Sequence, residues 1–498
     1  MTDPRTPCVI GAAQLTVPKP DGPAPEPLAL WERACRAAGD DAVPGHGARV
    51  LSAVGALLVV YCQSWPYDRP VDRLADRLGV APGWRHYSGI GGTVGQVLVQ
   101  DAARAILRGE LDVAVVTGAE ALETVRQAQR AGEPLRWSFR HPDPRGMPYE
   151  APFHPAELAH GVRNAWLEFP VFDIARRARL GVAPDAYREG LGRMLSPFTR
   201  VAAANPHAWF PTARSAEEIS GVTAVNRLIG YPYTKYMVSV IDVDMAAAVV
   251  IASEAAADRL GVARDRRVYL RGWCYAEDPV YLAEHRDLGA SPAMRAASAE
   301  ALARAGAGID DVAHLDLYSC YPSSVHLACD ALGVDPGDAR GLTVTGGLPY
   351  FGGPSSNYVT HSIATMTGVL RSDPGSLGLL SGIGMYMTKH VFAIYSTAPP
   401  PGGAVLPPDE REVAARLTDR VAVRRRYNGP ATVAGYSVAH GRTGPPEWGI
   451  AVCDTPDGSR AYARIEDPPL LDAFEREEWV GRRVTVTAGR RGADLVRA

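Results

Sequence analysis

The sequence predicts an α/β protein of two alternating strand–helix units, with a long insertion in the first unit and a small β-rich barrel at the C-terminal end. Three observations carry this prediction. Apolar strand-like runs alternate with helical stretches over roughly the first 115 residues and again over residues 268–395. Residues 88–122, SGIGGTVGQVLVQDAARAILRGELDVAVVTGAEAL, read as a glycine-rich turn, an apolar-striped helix, a charged break and a buried strand. The stretch APPPGGAVLPP at 398–408 can continue neither a helix nor a central strand, and short alternating runs follow it.

In chain order, the runs at 8–12, 56–61 and 113–116 predict a parallel sheet covered on both faces. Residues 123–236 change texture to Arg-rich helical patterns, aromatics and proline breaks, as in MPYEAPFHP, NPHAWFP and YPYTK. Such an insertion is expected to lie over the sheet as a lid or pocket wall. A strand at 246–252 and the helix SEAAADRLG return to the first unit. The second unit predicts strands at 268–273, 314–320, 377–381 and 390–395, helices at 293–305, 323–332 and 361–370, and a glycine-rich passage at 346–357. The expected domains are 1–265 and 266–397, a linker at 398–408, and 409–498 as a small antiparallel barrel or sandwich built from ATVAGYSVAH, GIAVCDT, AYARI and RVTVTAG.

Composition excludes several function classes. Lys+Arg 52 against Asp+Glu 55 leaves no basic excess, so no nucleic-acid footprint is expected. No apolar run approaches the ~18–20 residues of a membrane span, and the opening MTDPRTPCVIGAAQ carries no basic-then-apolar pattern. Seven scattered cysteines without a C-x-x-C pair argue against a zinc site or a disulfide framework, and for reduced thiols in a cytoplasmic protein.

The glycine-turn helix ending in Asp101-Ala-Ala-Arg-Ala-Ile resembles the nucleophile elbow of the thiolase superfamily. VIGAAQ, DVDMAAAVVIASEAAADRLGV, LDLYSCYP, GGLPYFGGPSSN and LLSGIGMY follow in the family's order across residues 7–397. The chain is most similar to sterol-carrier-protein-type thiolases and to thiolase-like type 1 proteins with an added C-terminal domain, often labelled acetyl-CoA acetyltransferases. The resemblance implies duplicated βα halves in five layers (αβαβα), an OB-like C-terminal barrel, and an acyl-CoA or carrier-bound acyl group as ligand with no other cofactor. It also implies a homodimer, or a protein partner met through the C-terminal domain.

The residues that carry thiolase chemistry are changed. Counting back nine positions from Asp101, the nucleophilic cysteine falls at Gly92; the histidine position reads Gly353, the second cysteine Ser381, and the residue holding the oxyanion water Tyr318. Glycine can neither attack a thioester nor accept a proton. The remaining candidates are Cys320 as a relocated nucleophile or a small core residue, His361 at a helix start as base or packing residue, and His390 beside Lys389. Ser381 could polarise a carbonyl, and Thr93 is expected to cap its helix rather than hold substrate. Gly91, Gly92, Gly352, Gly353 and Gly382 could offer backbone N–H groups. His154, Asn226, Arg227 and Lys235 could meet coenzyme A phosphates or remain solvated surface, and Glu120 could orient a loop or form an ion pair.

Three functions stay open on this reading: an acyltransferase of lipid or polyketide metabolism with a non-standard site, a non-covalent thioester hydrolase or acyl transferase, and a non-catalytic acyl-CoA-binding protein or subunit.

Overall fold

The computed structural model describes residues 3–19, 22–144, 153–403, 417, 419–442, 444–489 and 493–497. Part of the expected linker (404–408) and of the proline-rich MPYEAPFHP segment lies outside them. The first half contributes β1 (Pro7–Thr16), β2 (Ala56–Val59), β3 (Trp84–Tyr87) and β4 (Val113–Ala121). The insertion holds a small hairpin, β5 (Leu228–Gly230) and β6 (Tyr233–Thr234), and the chain re-enters the sheet as β7 (Asp244–Ser253). The second half adds β8 (Val268–Glu277), β9 (Val312–Asp316), β10 (Leu377–Gly384) and β11 (Lys389–Ser396).

These strands run in the order β3-β2-β4-β7-β1-β8-β11-β10-β9. β2 pairs in parallel with β3 and β4, as alternation predicts, but β7 lies antiparallel between β4 and β1. The sheet is therefore mixed rather than parallel. β7 follows a long insertion instead of a single crossover helix, so the right-handed βαβ constraint does not set its direction. The halves join through the short β1–β8 pairing at Cys8–Tyr269 and Val9–Val268.

Helices Val94–Leu107 and Tyr358–Ser372 pack between the two halves. Pro27–Ala42 covers the outer face of the first and Pro292–Ala305 that of the second, giving five layers. All residues of β4 and β7 are buried, which explains their nearly unbroken apolar composition. Ala246, Ala248 and Ala252 of β7 share a core cluster with residues of the outer helix Pro27–Ala42.

The C-terminal strands β12 (Val423–Arg424), β13 (Gly429–His440), β14 (Pro446–Asp454), β15 (Arg460–Ile465), β16 (Arg483–Ala488) and β17 (Asp494–Arg497) form a separate sheet. Within it the circuit β13-β14-β15-β17-β16-β13 closes a five-stranded barrel. β15 and β17 pair in parallel, and helix Pro468–Arg476 lies between the third and fourth barrel strands, so the barrel is OB-like. It is bonded to the insertion: β5 extends β13 at Gly230–Ala439, and the Tyr462 hydroxyl donates to Glu157 at 2.6 Å. The buried Arg177 donates to the hydroxyls of Tyr436 (2.7 Å) and Tyr231 (3.3 Å) and pairs with Glu478 at 3.0 Å.

Candidate functional site

The elbow forms as the sequence predicts, with β3 leading through the glycine turn into helix Val94–Leu107. A β-carbon at Gly92 would overlap both the Tyr318 hydroxyl and the backbone carbonyl of Ile383. The space a cysteine side chain would need is already filled. Tyr318 is pinned there from two sides: its backbone N–H donates to Ser381 Oγ at 2.9 Å, and its ring stands edge-on to Tyr358, centroids 5.5 Å apart. Asp316 anchors this arrangement from below. It accepts hydrogen bonds from Thr343 Oγ1 (2.8 Å), the N–H groups of Val344 and Thr345, and the hydroxyls of Tyr358 and Ser362. The sequence reading missed Asp316; its only signal was an acid at the end of an apolar strand.

The histidine position is filled in the same way. A β-carbon at Gly353 would overlap Ser239 Oγ, and the Gly353 N–H donates to the Val240 carbonyl at 2.9 Å. Gly352 has φ +115°, a left-handed conformation in which its missing β-carbon would crowd Met245 Sδ. The Gly91 N–H donates to Ser356 Oγ at 3.0 Å. Two of the backbone donors expected to remain for a ligand, at Gly91 and Gly353, are thus spent inside the protein.

Cys320 lies half-buried in the loop four residues beyond β9, which ends at Asp316 and not at 320 as expected; its Sγ is 3.1 Å from Ser324 Oγ and its carbonyl accepts from the Ser239 N–H. Burial pushes the thiol up to about 12, so almost none is thiolate at neutral pH. Alkylation of Cys320 by iodoacetamide at neutral pH is expected to run at least about tenfold slower than that of a free cysteine, measured by peptide mapping. Among the described residues no hydrogen bond joins Cys320 to either candidate histidine. His361 bonds through Nδ1 to Gln14 Oε1 (2.9 Å) on β1, edge-on to Phe351. His390 places Nε2 3.0 Å from Asp278 Oδ2 and 3.2 Å from the Met387 carbonyl. Burial acts to raise Asp278, but the His390 hydrogen bond and charge hold it below the usual carboxylate range.

Other positions resolve plainly. Thr93 occupies the N-cap position but its side chain makes no capping hydrogen bond, contrary to expectation; at φ −87°, ψ −16° its backbone is helical rather than in the extended form typical of a cap. Glu120 orients a loop, accepting from the N–H groups of Gln63 (2.8 Å) and Ser64 (2.9 Å), with no ion pair among the described residues. Burial pushes it up to about 7. Asn226 spends its amide inside the insertion, donating to the Glu218, Ile219 and Gly221 carbonyls and accepting from the Tyr236 N–H. His154 caps helix Pro155–His160 in a capping box, and Arg227 donates to the Leu228 carbonyl at 2.8 Å. Lys235 is exposed and lines a cleft of about 350 Å³ with Lys19, Arg214, Trp209, Tyr236 and Tyr350.

Solved structures share this fold. A monomeric SCP2-thiolase-like protein type 1 from Mycobacterium smegmatis is 32% identical, with each chain covered over 100% of its length and a TM-score of 0.86. The chain belongs to this thiolase-like type 1 family. Residues 410–490 match the thiolase-like protein type 1 additional C-terminal domain, in keeping with the barrel. Likeness to the dimeric peroxisomal thiolase of Saccharomyces cerevisiae (13% identity, 80% of this chain and 98% of that one, TM-score 0.56) concerns the fold alone. So does likeness to an acetyl-CoA acetyltransferase from Syntrophomonas wolfei (15% identity, 79% and 99%, TM-score 0.55). A comparison with curated proteins finds no match.

In this type 1 chain His361 stays neutral. Burial, reinforced by His207, pushes it down to about 3, well below an ordinary histidine. A group so depressed contributes stability that is full above the unfolded value near pH 6.5 and lost as pH falls toward 3. Between about pH 6.5 and about pH 5 this amounts to roughly 2 kcal/mol. His361→Phe is expected to lose that much pH dependence relative to the native chain, measured as urea midpoints across the range.

Proposed function

We propose that this chain binds an acyl-CoA-type thioester without forming an acyl-enzyme. The observation that carries the reading is the filled position at Gly92, where Tyr318 and the Ile383 carbonyl stand in the space of the family's nucleophile. A ping-pong route needs a thiolate there and a base beside it, and Cys320 offers neither a low proton affinity nor a histidine partner.

The cleft at Lys235, about 350 Å³ and lined also by Glu123 and Asp242, supports the reading as a seat for part of a coenzyme A-type ligand. It opens beside Val240, which accepts from the Gly353 N–H, and Trp209 packs against Gly352. Lys235 and Arg214 have no ion pair among the described residues, and the Arg214 guanidinium lies 4.1 Å over the Tyr236 ring. Cations beside flat aromatic faces suit phosphates and an adenine ring. Lys19 is paired with Glu123 at 2.7 Å and is the weaker candidate. Calorimetric titration with coenzyme A, acetyl-CoA and dephospho-coenzyme A tests this. Lys235→Ala and Arg214→Ala are each expected to weaken binding about tenfold, the loss of one charge-assisted hydrogen bond. Absence of heat with every ligand would overturn the reading.

The M. smegmatis relative is described as monomeric, and we extend that state to this chain in place of the homodimer expected from the wider superfamily. Light scattering behind a sizing column checks it. The seven cysteines are unpaired, which suits the reducing compartment expected from the sequence.

A further inference from the structure

The segment 205–210 borders two cavities. Trp209 and Phe210 line the Lys235 cleft, whereas Asn205, Pro206 and His207 line a second cavity of about 840 Å³ that the binding reading leaves unused. The other walls of this second cavity come from β1, from helix Tyr358–Ser372 and from the insertion helix Pro184–Ala204. Two hydrogen bonds from β1 fix its shape. Gln14 and Thr16 lie two residues apart on the strand and so point to the same side. Thr16 Oγ1 donates to the His207 carbonyl at 2.7 Å, and Gln14 Nε2 donates to Thr365 Oγ1 at 3.0 Å. The turn carrying His207 and the helix carrying Thr365 are thereby held side by side. Asn205 closes the turn, accepting from the His207 N–H and donating to the Thr345 carbonyl, both at 2.9 Å.

The polar groups left over in this cavity are donors. Arg200 is exposed, has no ion pair among the described residues, and makes one long contact of 3.4 Å to Ser196 Oγ. The His207 ring is half-buried and makes no hydrogen bond among the described residues. The Gln14 amide keeps one N–H after its bond to Thr365, and the Thr365 hydroxyl keeps its proton. No Asp or Glu lines the cavity among the described residues. Between the donors its walls are small and apolar, as at Ala12, Val201, Val344 and Ala364.

Convergent donors around one permanent cation suit a ligand with one negative charge and acceptor oxygens. The planar guanidinium fork matches a carboxylate, whereas a phosphate dianion would meet only half the charge it needs. Apolar walls around a few placed polar groups suit an aliphatic body. We propose that this cavity binds an aliphatic monocarboxylate, its carboxylate held by Arg200 and His207 and its chain lying against Val201, Val344 and Ala364. The site is separate from the Lys235 cleft and does not depend on the coenzyme A reading.

Calorimetric titration of the full chain at pH 7 with sodium acetate, butyrate and hexanoate tests the proposal, with 1-hexanol and inorganic phosphate as counter-probes. Affinity is expected to rise about fourfold for each methylene added. Hexanol and phosphate should each bind at least about tenfold more weakly than hexanoate. Arg200→Gln should weaken hexanoate about tenfold, the loss of one charge-assisted hydrogen bond. Ala204→Trp should abolish binding by filling the cavity; Ala204 is exposed at the end of its helix, so the variant is expected to fold. Saturating coenzyme A should leave the hexanoate isotherm unchanged. Hexanol binding as tightly as hexanoate would overturn the carboxylate assignment, and phosphate binding as tightly would make the cavity a general anion site. Displacement by coenzyme A, or full binding in Ala204→Trp, would place the ligand elsewhere and overturn the proposal. So would the absence of heat with every carboxylate, and neither result bears on coenzyme A binding at Lys235.

Discussion

Replacing Gly92 with cysteine is expected to destabilise the protein without creating an acylatable thiol. The overlap falls on the β-carbon itself, so Gly92→Ala should suffer nearly as much as Gly92→Cys. Part of the clash could be relieved by moving Tyr318, but the Ile383 carbonyl belongs to β10 and cannot move without breaking its ladder to β11. Overpacking of this kind costs about 3 kcal/mol. Chemical denaturation should show that loss in both variants. In Gly92→Cys/Tyr318→Ala the two effects should be less than additive, because the second change empties the space the first requires. A Gly92→Ala protein as stable as the native chain would mean the position is open, and the closed-site account would fail with it.

The second large effect is expected at Arg177. This side chain, wholly buried, ties the insertion helix to the barrel through Tyr436 and the half-exposed Glu478, and holds Tyr231 of the insertion, whose hydroxyl donates to the Glu475 carbonyl of the barrel domain. Arg177→Met keeps much of the apolar stem but removes the fork, at a cost of about 3 kcal/mol from the lost hydrogen bonds. Arg177→Lys should recover little, because a single ammonium cannot reach both hydroxyls and the carboxylate in the same geometry. Scanning calorimetry should then resolve two unfolding transitions in Arg177→Met, the barrel melting first. A single transition at the native temperature would place the barrel's attachment elsewhere, for instance on Arg460, which donates to the Ala283 and Arg286 carbonyls.

Much of the fold was legible because its strands are buried on both faces and therefore read as unbroken apolar runs, as at 113–116 and 246–252. Strand direction was not, since hydropathy carries no sign, and β7 turned out antiparallel. The barrel was legible from the APPPGG break and the short alternating runs after it.

At the site, the elbow motif placed the expected nucleophile position at Gly92, where the sequence has no cysteine. The groups that crowd Gly92 and Gly353 were not legible, because Tyr318, Ile383 and Ser239 reach them only through the fold. Gln14 looked like an ordinary strand residue, yet it holds His361.

The central claim is tested most directly by intact-protein mass spectrometry at an acetyl-CoA concentration where calorimetry shows the site occupied. The account predicts native mass with no acetyl adduct after prolonged incubation and rapid acid quenching. An acetyl thioester mapped to Cys320, and absent in Cys320→Ala, would contradict it and restore covalent acyl transfer as the mechanism.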